Sequence, residues 1–120
     1  MLLNDLVFQG FKRIILGTGY LGDQIEVHLQ KRTDAEFLIS REESPLGTGG
    51  AIRNALPLFE SEQVLVLNGD SYISFSAETL LKFHENQQAD STILVSSSTK
   101  GKDYGNIVLG ERNKILSFKF

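Results

Sequence analysis

Several features are missing from this chain of 120 residues, and each absence excludes a class of protein. There is no cysteine, which rules out a disulfide framework and a zinc–thiolate site. No segment reaches the roughly 18 consecutive apolar residues that a membrane-spanning helix needs. The N-terminus lacks a basic region followed by an apolar core, so we expect no signal peptide and a cytoplasmic location.

An excess of positive charge is also missing. The formal net charge is −3 and the pI is about 5.3, with lysine and arginine scattered along the chain. This balance argues against a nucleic-acid partner. Apolar residues make up 41% and charged residues 22%, which is typical of a folded domain rather than a disordered chain. We expect residues 1–120 to form one domain.

Short apolar runs alternate with segments of helical periodicity. The patterns predict helices at 1–10, 21–32, 50–56 and 76–87. The first should end at Gly10 and present one apolar face, formed by Leu2, Leu3, Leu6 and Val7. They predict strands at 13–16, 35–39, 64–67, 92–95, 106–109 and 115–120, the last two joined by a turn at 110–113. The alternation indicates βαβ units and a mostly parallel sheet, and therefore an α/β fold.

The first glycine-rich segment, Gly17-Thr18-Gly19-Tyr20-Leu21-Gly22, has the spacing of a dinucleotide-binding fingerprint. It follows a predicted strand, and acidic residues lie about twenty positions further on. However, Glu26 stands four residues after the last glycine, where close packing of helix on strand favours a small residue. We therefore favour a tight strand-to-helix turn that uses glycine for positive φ. Dinucleotide binding stays open as the alternative.

The second glycine-rich segment is Gly47-Thr48-Gly49-Gly50, ahead of a short predicted helix. No Gly-Lys-Ser/Thr follows it, so it is not a Walker A loop. Three glycines in four residues exceed what a turn needs, and bare backbone can approach a planar base or sugar closely. We favour ligand binding here over a plain loop-to-helix turn.

A carboxylate follows the apolar run at 64–67. In open α/β sheets ligands bind beyond the carboxyl ends of the strands, which is where Asp70 is expected. An aspartate there can hold Mg²⁺ between phosphate oxygens. The simpler alternative is an Asx-type turn that ends a strand.

Four segments, in this order, resemble the sugar-1-phosphate nucleotidyltransferase family: PLGTGGAI, VLNGD, YGNIVL and KILSF. The resemblance covers nearly all of the chain and is greatest to the mannose-1-phosphate and heptose-1-phosphate guanylyltransferases. It implies a Rossmann-like, doubly wound, mostly parallel sheet of the nucleotide-diphospho-sugar transferase type. Members join a nucleoside triphosphate to a sugar 1-phosphate and release pyrophosphate.

The resemblance also implies roles for particular residues. It makes Asp70 the catalytic ligand of Mg²⁺, places Gly47 to Gly49 against the base and ribose, and places Glu42 near the base edge. It assigns substrate and nucleotide contacts to Glu42, Leu46, Gly47, Thr48, Gly49, Asn68, Gly69 and Gly105. GTP is the implied triphosphate.

The sequence departs from the family pattern in what it does not contain. The family opens with a strand, a Gly-Thr-Arg loop and a Pro-Lys pair, which grip the triphosphate, and it continues into a Glu-Lys pair and a second metal-binding aspartate. None of these is in this sequence. We therefore expect a partial domain without its first strand, little catalysis by these residues alone, and a tendency to self-associate through unpaired strand edges. A non-catalytic nucleotide- or sugar-nucleotide-binding module remains the second alternative.

Overall fold

The computed structural model describes residues 2–20, 22–96 and 106–119 and divides into two compact units, Met1–Glu78 and Thr79–Phe120. The helices are α1 Leu2–Phe8, α2 Gly22–Gln30, α3 Gly47–Ala55 and α4 Ala77–Asn86. The strands are β1 Arg13–Thr18, β2 Glu36–Arg41, β3 Asn106–Leu109 and β4 Ile115–Lys119. Short 3-10 turns occupy Leu56–Leu58 and Glu111–Asn113.

A βαβ unit forms the centre of the first unit, as the sequence predicts. β1 pairs with β2 in parallel from Arg13 opposite Glu36 to Thr18 opposite Arg41, and α2 makes the crossover. Arg13 stabilises the first residues of this strand pair. Its Nη1 lies 2.8 Å from Glu36 Oε2, and its Nε and Nη2 donate to the carbonyl of Leu58 at 3.1 and 2.9 Å.

The first helix packs by the face that its sequence pattern predicts. Leu6 is buried, and it joins Ile14, Leu29 and Ala55 in the apolar core of this unit. Gly10 ends the helix with a φ of +96°. Its N–H donates to Val7 O and that of Phe11 to Leu6 O, the two hydrogen bonds of a Schellman cap.

Two predicted strands are wrong for the residues that the structure describes. Residues 64–67 and 92–95 belong to no hydrogen-bonded strand. Val64, Val66, Ile93 and Val95 are all more than 40% exposed. Alternating apolar residues with high β-propensity indicate a segment that fits a sheet, but they do not supply the neighbouring strand. A doubly wound sheet is therefore not established, and the parallel sheet described has two strands.

The second unit contains the predicted hairpin. β3 and β4 pair antiparallel with an irregularity between Val108 and Leu109. The connection matches the predicted turn at 110–113: Gly110 N–H donates to Lys114 O, and Arg112 and Asn113 have φ of 55° and 60°.

Across the described ranges, none of the helices has both the length and the apolar character needed to cross a membrane.

Candidate active site

The parallel strand pair brings two strand ends together. One glycine-rich segment begins within the end of β1, and the other follows β2. Thr18 and Arg41 are the last residues of β1 and β2 and lie opposite each other. The N–H of Glu42 extends the pairing by donating to Thr18 O at 2.8 Å. This edge, at the carboxyl ends of parallel strands, is where α/β proteins bind ligands.

The first glycine-rich segment is shaped by packing. Gly17 lies inside β1 opposite Ser40, so it does not form the turn, and α2 begins at Gly22. The expected positive φ is wrong, since Gly17, Gly19 and Gly22 all lack it. A Cβ at Gly22 would stand 2.8 Å from Thr18 Oγ1. Gly22 therefore lets α2 approach the end of β1.

The buried hydroxyl beneath that contact has no described partner. Thr18 is 4% exposed, and its Oγ1 makes no hydrogen bond within the described residues. Ser40, buried on the neighbouring strand, is satisfied because Asn54 Nδ2 donates to its Oγ at 3.1 Å. The same Nδ2 donates to Arg41 O at 3.0 Å. Asn54 thus ties α3 to the end of β2, a role that the sequence pattern did not indicate.

An ion-pair cluster joins α2 to the end of β2. Arg41 Nη2 lies 2.7 Å from Asp23 Oδ1 and 2.6 Å from Glu26 Oε2. The hydrogen bond that Arg41 donates to Asp23, the negative charge of Asp23, and the hydrogen bond and charge of Glu26 raise the pKa of the Arg41 guanidinium. Glu26, the residue that weakened the dinucleotide interpretation, is therefore used in binding Arg41.

The second glycine-rich segment forms the first turn of α3. The helix begins at Gly47, not at residue 50 as predicted, so the glycines belong to the helix itself. Gly47 has a φ of +71°, a conformation that favours glycine. A Cβ at Gly50 would stand 2.8 Å from Leu46 Cβ. A Cβ at Gly49 would meet no described atom within 4 Å beyond its chain neighbours and the backbone of its own helix, and the φ of Gly49 is not positive.

The glycines of this second segment therefore differ in why a side chain is missing. The fold accounts for Gly47 through its backbone conformation and for Gly50 through its contact with Leu46. It gives no reason for the missing side chain at Gly49, which lies exposed beside Thr48 in the first turn of the helix. The first N–H groups of a helix have no partner inside it and are available to other acceptors.

Glu42 holds the start of this turn. The half-buried residue accepts a hydrogen bond on Oε2 from the N–H of Leu46 at 3.1 Å, while its own N–H is bound to Thr18. The contact places Glu42 beside the glycine turn. Leu46, the residue before α3, is 43% exposed.

Asp70 lies in an exposed turn with Gly69, directly after exposed Asn68. Residues 64–67 form no strand, so the predicted position of Asp70 at a strand end is wrong. Ser71 Oγ lies 3.3 Å from Asp70 Oδ1. No set of three or more histidine, cysteine or acidic residues in the described residues could hold a metal ion. The donor chemistry nevertheless fits Mg²⁺, which often takes one or two carboxylates and completes its shell with water and phosphate. Gly105 lies outside the described residues.

One contact to this region was not predicted from the sequence. The side chain of Gln9, at the end of α1, hydrogen-bonds Phe75 and Ala77, which follow the Asp70 turn along the chain. A lone glutamine before a helix-ending glycine gives no periodic or motif signal, so only the structure reveals it.

Comparison with known proteins identifies the family to which the chain belongs. The family model for nucleotidyl transferases matches residues 1–119. The D-glycero-alpha-D-manno-heptose 1-phosphate guanylyltransferase of Aneurinibacillus thermoaerophilus is 30% identical over 92% of this chain and 48% of its own length. The mannose-1-phosphate guanylyltransferase catalytic subunit beta of Drosophila melanogaster is 32% identical over 97% of this chain and 33% of its own. The mannose-1-phosphate guanylyltransferase of Mycobacterium tuberculosis is 29% identical over 98% and 33%.

No solved structure matches the chain. The chain spans between a third and a half of the length of these curated relatives. Since the family model covers the sequence almost from end to end, this protein belongs to the nucleotidyl transferase family.

Proposed function

We propose that this chain supplies the nucleotide- and Mg²⁺-binding part of a sugar-1-phosphate nucleotidyltransferase. In the reaction, a phosphate oxygen of the sugar 1-phosphate attacks the α-phosphorus of a nucleoside triphosphate. The bond from that phosphorus to the bridging oxygen breaks, and pyrophosphate leaves. The protein contributes mainly positioning and charge neutralisation, as in other phosphoryl-type transfers.

The observation that carries the proposal is the open backbone at Gly49. The motif resemblance implies a nucleotide over the Gly47–Gly49 turn, and Gly49 is the glycine of that turn whose missing side chain the fold does not require. A base or ribose stacked on that backbone accounts for it, since a Cβ would occupy the contact surface. Glu42 supports the same surface by binding the N–H of Leu46.

Asp70 is the proposed metal ligand. Its carboxylate is exposed, so it can bind a cation without first leaving an apolar core. Held there, Mg²⁺ would supply positive charge that offsets the charge on the phosphate oxygens. Asn68 and Gly69, in the same exposed segment, are proposed to contact the ribose and the sugar, and Gly105 to contact the sugar.

Guanine and a mannose- or heptose-type sugar are the proposed specificities, supported by the names of the curated relatives. The doubly wound sheet of the family is part of the proposal. So is low turnover by the 120 residues themselves, because the sequence holds no Gly-Thr-Arg loop to bind the triphosphate.

Calorimetry with GTP, with and without Mg²⁺, and a coupled pyrophosphate-release assay test the proposal. We expect Mg²⁺-dependent GTP binding with little pyrophosphate release. Asp70→Asn should remove the dependence on Mg²⁺, while Asp90→Asn, an exposed aspartate in the second unit, serves as the charge-matched control. Robust turnover would contradict the low-activity expectation, and binding of NAD in place of GTP would contradict the function.

Gly49→Ala tests the contribution of Gly49 to ligand binding separately from its contribution to folding stability. We expect GTP affinity to fall about tenfold, which corresponds to about 1.4 kcal/mol. Stability should be unchanged or raised by up to about 1 kcal/mol, because alanine favours helix over glycine and meets open space. Unchanged GTP affinity in this variant would remove Gly49 from the site.

Self-association is a further part of the proposal. Within the described residues β1 has a strand partner along one edge, β2. An open strand edge can pair with a second chain. Sedimentation of a clean monomer at all concentrations would contradict this expectation.

A further inference from the structure

The side-chain amide of Gln9 joins the end of α1 to the start of α4. Gln9 Nε2 donates to Phe75 O at 3.1 Å, and Ala77 N–H donates to Gln9 Oε1 at 2.7 Å. Both bonds are partly buried and span 66 and 68 positions of sequence. One amide group therefore satisfies an acceptor and a donor two residues apart in the same segment.

Gln9 is itself held firmly. Its N–H donates to Asp5 O at 3.0 Å, and the Schellman cap at Gly10 and Phe11 closes the helix directly after it. Leu6, on the last turn of the helix, is buried in the core. The amide thus extends from a fixed point of the scaffold.

The segment that Gln9 binds ends the Asp70 loop, defined here as residues 69–76. Residues 71–76 form neither helix nor strand, so no ladder of backbone hydrogen bonds fixes their course. Ala77 is the first residue of α4, and its N–H is one of the groups that a helix leaves without an internal partner. The amide of Gln9 thus fixes the point where the loop enters the helix.

We propose that Gln9 is a positioning residue for Asp70. By tying Phe75 and Ala77 to the end of α1, it restricts the Asp70 loop and orients the carboxylate for a divalent cation. This inference rests on the proposed function, because it takes Asp70 as the metal ligand. Groups that orient metal ligands from outside the coordination shell commonly affect metal affinity strongly.

The test compares variants of the full chain with Mn²⁺ and GTP as probes. Gln9→Met keeps the length of the side chain but removes both hydrogen bonds, and Gln9→Glu keeps the acceptor for Ala77 N–H. Gln24→Met, on an exposed position of α2, is the matched control. GTP binding is measured by calorimetry with Mn²⁺ and with EDTA, and amide hydrogen exchange is followed over residues 71–77.

We expect Gln9→Met to weaken Mn²⁺-dependent GTP binding by about tenfold. Binding in EDTA should stay unchanged, and exchange at 71–77 should accelerate, while Gln24→Met behaves as the wild type. A merely structural role would lower both kinds of binding together. If Gln9→Met unfolds, Gln9→Glu provides the comparison, with a smaller loss expected.

The outcomes separate the two proposals. If the wild-type chain shows no Mn²⁺-dependent GTP binding, the proposed function fails and this inference with it. If the wild type binds and the Gln9 variants bind equally well with Mn²⁺, or lose affinity equally in EDTA, only the positioning role of Gln9 is overturned.

Discussion

The two glycine-rich segments lie at or after the ends of adjacent parallel strands and look alike in sequence, yet their glycines are required for different reasons. In the first segment, at 17–22, the structural demand falls on Gly22, which lies against the side chain of Thr18. In the second, at 47–50, Gly47 needs a positive φ, Gly50 needs room beside Leu46, and Gly49 needs neither. A glycine count therefore does not identify a ligand site. A glycine that neither conformation nor packing requires leaves room for a ligand, but Gly19 has the same property, so the assignment of Gly49 also depends on the family motif.

The largest expected effect on stability tests the packing role of the first segment. Gly22→Ala would place a Cβ 2.8 Å from Thr18 Oγ1 and 3.3 Å from Thr18 Cβ. Thr18 is buried and β-branched, so it cannot readily rotate away. We expect a loss of about 1–3 kcal/mol in the free energy of unfolding, measured in urea.

Gly19→Ala is the matched control for that change. No described atom lies within 4 Å of the added Cβ, and φ is not positive. This variant should change the free energy of unfolding by no more than about 0.5 kcal/mol. Similar losses in both variants would show that the difference between these glycines is not one of packing.

The next largest effect on stability tests whether the positive φ of Gly47, in the second segment, requires glycine. Gly47→Ala puts a Cβ on a residue with a φ of +71°, which costs an L-residue about 1–2 kcal/mol. Urea unfolding measures the loss. Gly47→Asn should lose less, since asparagine visits the left-handed region more readily. An asparagine variant as unstable as the alanine variant would contradict a purely conformational cause.

The smallest expected effect on stability concerns the buried hydroxyl groups of Thr18 and Ser40, near the ends of β1 and β2. Thr18→Val removes an Oγ1 without a described partner and should stabilise the chain by about 1 kcal/mol. Ser40→Ala should destabilise it by a similar amount, because Asn54 Nδ2 loses an acceptor. Thermal unfolding of both variants shows whether each substitution raises or lowers stability. A destabilising Thr18→Val would mean that the hydroxyl has a polar partner in solution.

Sequence alone determined the features that depend on local pattern. The apolar face of α1 and its end at Gly10, the β1–α2–β2 unit and the hairpin at 106–119 follow from periodicity, turn chemistry and glycine placement. The motifs at 47–50 and 68–70 also gave the family, because motif residues stand in a recognisable order whatever surrounds them. The start of α3 was predicted three residues late, because glycine is a poor helix former and its packing against Leu46 is not visible in a pattern.

Tertiary structure decided what depends on partners distant in sequence. The segments 64–67 and 92–95 have the composition of strands and form none in the described residues, since a strand exists only when another backbone pairs with it. The separate causes of Gly22, Gly47 and Gly49 emerge only once their neighbours and backbone angles are known. The amide of Gln9 at Phe75 and Ala77 is the clearest case, because contacts across more than sixty residues depend on the folded path of the chain.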